Sequence, residues 1–244
     1  MFNLISMLVQ YLCGAEQQNG GHALYLLQTT NTPLDRLQAE NGISPAFFAI
    51  CFGMVAAAYL IGNISPATIL AAAKGIDIKK AGSGNAGTTN VTRVLGKRAG
   101  VLTLVIDVGK GALAVLAGRW IGGDFLAAAV VIPVLLGHIW PVVFRFRGGK
   151  GVATAFGALL LLNPWIGLGD LILVILGVWI SRRMSVGSIV GCIANPVLTW
   201  LFLPGFFVDG LFMAILILFK HRGNILRLAR GEEPKLHFSK SRSE

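Results

Sequence analysis

Twelve small, polar residues, Gly82-Ser83-Gly84-Asn85-Ala86-Gly87-Thr88-Thr89-Asn90-Val91-Thr92-Arg93, interrupt long apolar runs. Gly82, Gly84 and Gly87 allow the main chain to come close to a ligand. Ser83, Asn85, Thr88, Thr89 and Asn90 add side-chain hydrogen bonds. Such a stretch suits a cluster of anionic oxygens, with Arg93 as a planar, permanently charged clamp.

Three other stretches carry chemistry of the same kind. Gly137-His138-Ile139-Trp140-Pro141 leads into Phe144-Arg145-Phe146-Arg147-Gly148-Gly149-Lys150-Gly151. Gly148 to Gly151 can expose consecutive N–H groups at the start of a helix, although the spacing is not that of a nucleotide P-loop. His138 reads equally as a ligand or as a helix-end residue, and Lys150 as a ligand or a topology anchor. Within an apolar run, Asp107 and Lys110 lie three apart, so they should face one another or a wet cavity, with Lys110 a phosphate contact and Asp107 its partner. In His221-Arg222-Gly223-Asn224-Ile225-Leu226-Arg227-Leu228, His221 and Asn224 share a helical face, and Glu233 orients a cation or anchors the tail. Ser185 and Ser188 flank Gly187 at a helix start, where they cap the helix or bind an anion.

The elements that position these residues are membrane helices. Of the 244 residues 55% are hydrophobic and 13% charged, and the mean hydropathy is +0.71, which excludes a soluble domain of this length. The expected fold is all-α and polytopic. Its spans are a broken segment over 45 to 73, then 99 to 120, 125 to 143, 151 to 163, 164 to 181, 186 to 203 and 206 to 219. That makes seven crossings, with 151 to 163 short enough to read as a re-entrant piece. Lys74, Lys79, Lys80, Arg93, Lys97 and Arg98 fall in one loop, Arg145, Arg147 and Lys150 in another, Arg182 and Arg183 in a third, and a basic tail follows Lys220. Alternating crossings put all four groups on one side, giving a periplasmic amino terminus and a cytoplasmic carboxyl terminus. Residues 1 to 44 read as an irregular, flexible extension, 45 to 235 as the membrane body, and 236 to 244 as a tail.

Cys13, Cys51 and Cys192 are single and fit neither a disulfide framework nor a zinc site. No metal cluster or nucleotide motif is present, so a cofactor-free protein is expected. The placement of the net charge of +10 fits a membrane surface rather than nucleic acid. No His-x4-Asp pair and no Gly-x-Ser-x-Gly elbow supplies a conventional acyl-transfer base or nucleophile. His138 and His221 remain rival bases beside a mechanism in which a substrate phosphate takes the proton.

Taken together and in order, Ser83 to Arg93, Asp107 with Lys110-Gly111, Gly137-His138 to Gly151, and His221 to Glu233 resemble the motif set of the bacterial acyl-phosphate:glycerol-3-phosphate acyltransferases. The likeness covers about residues 50 to 235. It implies an inner-membrane enzyme of about seven helices that moves a fatty acyl group from acyl phosphate to glycerol 3-phosphate, making lysophosphatidic acid, with its site at the cytoplasmic face. Its partners would be those two substrates, membrane lipid, and the soluble enzyme that forms acyl phosphate. The implied catalytic residues are Ser83, Arg93, His221 and Asn224. Substrate binding would fall to Gly82, Gly84, Asn85, Gly87, Asn90, Lys110, His138, Gly148, Gly149, Lys150, Gly151 and Ser188, and structural support to Asp107 and Glu233. Gly62-Asn63-Ile64-Ser65-Pro66 departs from the family's Gly-Ser-Ile-Pro turn, and Arg145 and Arg147 stand where Phe-Lys is commoner. Two other readings are a transporter of an anionic or phosphorylated solute, whose site would lie near the midplane, and a non-catalytic scaffold binding anionic lipid.

Overall fold

The computed structural model describes residues 32–41 and 44–236. Among these, all regular structure is helical, in two compact units that meet in sequence at Pro164 and Trp165. The first unit holds α1 (Pro33–Asn41), α2 (Pro45–Gly62), α3 (Pro66–Ala72), α4 (Thr88–Leu95), α5 (Lys97–Ala129), α6 (Val131–Ile139) and α7 (Val152–Leu162). The second holds α8 (Pro164–Ser181), α9 (Met184–Phe202), α10 (Phe207–Lys220) and α11 (Arg222–Ala229).

The local chemistry explains the helix boundaries. Ser44 caps α2 by accepting from the Phe47 amide, and Ser65 caps α3 by accepting from Thr68. Pro45 and Pro66 open the two helices, where a missing N–H costs nothing. The break expected near Asn63 is therefore a restart of the chain at Pro66. In α5 the break expected between two spans falls at Gly122 and Gly123, whose backbone leaves the helical region and reaches φ 58° at Gly123.

Four helices, α2, α5, α8 and α9, are individually long and apolar enough to cross a membrane, and the bent pair from Pro204 to Ala229 would make five. The expectation of seven crossings is thus not met by length alone. With nine and eleven residues, α6 and α7 rise about 14 and 17 Å, well short of a bilayer core of about 30 Å. Trp120, Phe52, Trp179 and Ile180 are about three-quarters exposed, as apolar side chains facing lipid would be.

A second correction concerns residues 33 to 41, expected to be irregular but found as α1. Thr32 and Asp35 exchange hydrogen bonds at its start. Leu34, 1% exposed, joins Phe47, Cys51, Phe125 and Leu126 in a buried cluster. The rest of the expected extension, 1 to 31 with 42 and 43, lies outside the described residues, as does the tail from 237.

Small residues set the helix spacing. A Cβ at Gly111 would lie 2.1 Å from the Thr154 carbonyl, and one at Gly157 2.0 Å from that of Val108, so α5 and α7 touch backbone to backbone. Gly62 and Gly137 bring α2 and α6 together in the same way. Arg119 donates to the Leu161 and Leu162 carbonyls and to Asp124. It caps the carboxyl end of α7. In the second unit the Asn195 amide of α9 donates to Asp170 of α8.

Gly111→Ala should cost about 1–3 kcal/mol, because the added methyl must displace backbone. Gly109→Ala, with nothing within 4 Å of the added atom, should be neutral or stabilising. Thermal unfolding of the two variants in detergent checks this, and equal melting temperatures would refute the contact.

Candidate active site

The polar stretch forms a loop laced from within. Asn90 on α4 is 1% exposed, its Oδ1 accepts from the Ser83 amide at 2.8 Å, and its Nδ2 donates to the Ala81 carbonyl at 3.0 Å. Its amide thereby holds the cradle from within. Gly82 and Gly84 have φ of 59° and 69°, and a Cβ at Gly82 would strike Asn90 Oδ1. The Ser83 hydroxyl has no protein partner among the described residues, and Asn85 packs against Gly87. Arg93 is exposed on α4 and makes no ion pair among the described residues.

The Gly148 to Gly151 stretch is only partly the nest expected. Gly148 donates to the Ile139 carbonyl and Gly149 to that of His138, closing the turn over 140 to 147 as a hairpin. Those two amides are used, which leaves Gly151, φ 94°, and the first turn of α7 to face an anion. Lys150 is half-buried beside them. Lys79, counted from sequence only as a topology charge, donates to the Gly148 carbonyl at 2.9 Å and ties one loop to the other. Nothing in its spacing marks that reach of 69 residues.

Below the loops lies a buried charged cluster. The Lys110 ammonium is 2.8 Å from Asp107 Oδ1, 2.7 Å from the Ile64 carbonyl, 3.1 Å from that of Gly62 and 2.8 Å from His138 Nδ1. Its three protons go to the two carbonyls and to Nδ1, with Asp107 held as an ion pair. Asp107 is its partner, as expected. Tyr59, not singled out from sequence, donates to the Trp140 carbonyl at 2.8 Å and steadies the end of α6.

The last motif lies in the second unit. Glu233 is buried, with Asn224 Nδ2 2.6 Å from Oε1 and Arg227 Nε 2.8 Å from Oε2. Arg183 donates to the Glu233 carbonyl, and the Leu236 amide to that of Arg182. Burial raises the Glu233 pKa, but the Ser185 hydroxyl, Asn224 and Arg227 outweigh it and hold the carboxyl below its ordinary value. His221, 3% exposed, shares its Nδ1 proton with the Ile217 carbonyl, which places the lone pair of the neutral ring on Nε2. Ser188, expected at substrate, returns its hydroxyl to the Met184 carbonyl, a local helix bond. Ser185 is the buried serine of the pair.

Comparison with known proteins agrees with these motifs. Residues 52–231 match the family model described as glycerol-3-phosphate acyltransferase. A glycerol-3-phosphate acyltransferase of Clostridioides difficile is 47% identical over 187 residues, 73% of this chain and 92% of its own. One from Cronobacter sakazakii is 42% identical over 205 residues, 80% of this chain and 98% of its own. The crystal structure of PlsY (YgiH), an integral membrane glycerol 3-phosphate acyltransferase, in its glycerol 3-phosphate form superposes with a TM-score of 0.73 at 34% identity, covering 77% of this chain and 96% of that one. Its lysophosphatidic acid form gives 0.70 at the same identity. The chain belongs to the glycerol-3-phosphate acyltransferase family of multi-pass membrane enzymes, and the transporter reading finds no support.

Two expectations follow from the geometry. Asn90→Ala should release residues 81 to 87 and speed their amide exchange at least tenfold, whereas Asn90→Asp, keeping the acceptor for Ser83, should speed it less; deuterium uptake by mass spectrometry reads both. Because folding lowers the Glu233 pKa, its stabilisation is fully present above the ordinary value of 4.5 and disappears as the pH falls through the lower folded value. Glu233→Gln should therefore melt below wild type at neutral pH, with the gap closing on acidification. A gap that persists at acid pH would deny the carboxylate this role.

Proposed function

We propose that the protein transfers a fatty acyl group from acyl phosphate to glycerol 3-phosphate, yielding lysophosphatidic acid and inorganic phosphate. The observation that carries this is that Lys79, whose carbonyl packs against Gly84 of the 82 to 87 loop, bonds the Gly148 carbonyl of the 148 to 151 loop beside a buried charged cluster, in a chain of this family. The PlsY forms with glycerol 3-phosphate and with lysophosphatidic acid support the acceptor and the product. The donor is inferred from the motif set.

Chemically, the glycerol hydroxyl oxygen forms the new ester bond at the acyl carbon. The bond from that carbon to the bridging phosphate oxygen breaks, and phosphate leaves with the electron pair. A mixed anhydride is already activated, so orientation and charge neutralisation suffice. A phosphate oxygen takes the hydroxyl proton, without an acyl-enzyme. In this reading Ser83, Arg93, Lys150 and the amides from Gly151 hold phosphate oxygens, and the motif set adds His221 and Asn224 as catalytic residues. Gly82, Gly84, Asn85 and Gly87 shape the cradle, and no cofactor is required. Seven crossings, a periplasmic amino terminus, a cytoplasmic carboxyl terminus and a site at the cytoplasmic face of the bacterial inner membrane complete the proposal. The enzyme would take its donor from the soluble protein that forms acyl phosphate.

Purified protein given palmitoyl phosphate should release phosphate only when glycerol 3-phosphate is present, and palmitoyl-CoA should not substitute. Use of the CoA ester alone would overturn the donor assignment. Radiolabelled acyl group left on acid-quenched protein would overturn direct transfer.

A further inference from the structure

The cluster under the loops fixes more than structure. An ammonium has three protons and no lone pair, so Lys110 at 2.8 Å from His138 Nδ1 requires an acceptor there. A proton on Nδ1 would set two donors against each other. The competing approach, of Nδ1 to Asp107 Oδ1, is longer at 3.3 Å, and the ammonium lies 2.8 Å from that oxygen as its ion-pair partner. The three protons go to the Gly62 and Ile64 carbonyls and to Nδ1.

We propose that Lys110 fixes neutral His138 as the tautomer protonated on Nε2, and that this N–H donates to a phosphate oxygen where the two glycine loops meet. His138 is 7% exposed, yet Nε2 has no protein acceptor among the described residues. It faces the junction of the loops: a Cβ at Gly149 would lie 2.2 Å from Nε2 and 2.8 Å from the Ala86 carbonyl. The missing side chain at 149 is what leaves the N–H a path outward. Gly149 in turn bonds back to the His138 carbonyl, so the ring and the loop are placed together.

The assignment rests on the acyltransferase reading only for the identity of the phosphate, which belongs to acyl phosphate or to glycerol 3-phosphate. It has a mechanistic consequence. With Nε2 protonated and Nδ1 occupied by Lys110, His138 is not the base, and the hydroxyl proton must go elsewhere. Lys110 is then a positioning residue that acts through the ring.

Nitrogen-15 NMR on the full chain with ring-labelled histidine in nanodiscs tests this, the His138 signals being those lost in His138→Gln. Wild type should show a bare Nδ1 and a protonated Nε2 at neutral pH, and Lys110→Met should mix the two forms. A proton on Nδ1 in wild type would overturn the assignment. Glycerol 3-phosphate, or palmitoyl phosphate added separately, should move the Nε2–H resonance downfield and show which substrate it serves; no movement with either would overturn the donor role. His138→Gln, which keeps an N–H, should lose about tenfold in kcat/KM, and His138→Leu about a hundredfold. Equal losses would also count against donation. The tautomer is read without turnover, so an inactive wild type with the expected tautomer would count against the acyltransferase reading alone.

Discussion

The first unit depends on one buried ammonium. Lys110, 4% exposed in an apolar helix, would be prohibitive to desolvate without partners, and the structure supplies a carboxylate one turn away and two main-chain carbonyls. Those carbonyls, of Gly62 and Ile64, belong to the end of α2, where the restart at Pro66 leaves acceptors without helical donors. Each side removes the other's penalty. One side chain thereby holds α2, α5 and α6 in fixed relation, and the close approach at Gly62 and Gly137 is the packing counterpart of the same constraint.

Above this cluster the chain keeps two polar loops open beside apolar helices. An anion cradle must leave some donors unused, so the loop has to be held by others. Here Asn90 supplies one donor and one acceptor from inside, Gly148 and Gly149 give up their amides to close the hairpin, and Lys79 fastens the loops. The second unit solves a similar problem with a carboxylate. Glu233 gathers Asn224 and Arg227 and lets Arg183 grip its carbonyl, so the chain after α11 is fixed by charge-assisted bonds.

The sequence identifies the important stretches more readily than the task of each residue within them. Membrane class, helix order, the breaks near Pro66 and Gly122, and the four motifs are legible because composition, proline, glycine and charge act locally. Asn90 and Asn85 look alike as polar loop residues, and only the fold shows that one is buried and bonded to the loop while the other is half-exposed. The bonds of Lys110 and Lys79 to main-chain carbonyls are not legible because side-chain reach across 46 and 69 residues leaves no periodic trace. Residues 33 to 41 looked like linker because a single turn-rich flank outweighed Leu34, which packs on partners far along the chain.

The exclusion of His138 as a base follows from the same physics. A histidine serves as base only when a nitrogen keeps a lone pair toward the substrate. In the first unit the ammonium that satisfies the broken helix also takes that lone pair on His138, leaving a donor outward. An enzyme built to receive a phosphate gains from donors at this point, since each N–H aimed at phosphate oxygen stabilises the charge that the leaving group develops. Substrate phosphate, itself a base of suitable strength, can then accept the proton that the protein declines. The buried cation required for folding and the basicity withheld from His138 are two results of one placement of Lys110.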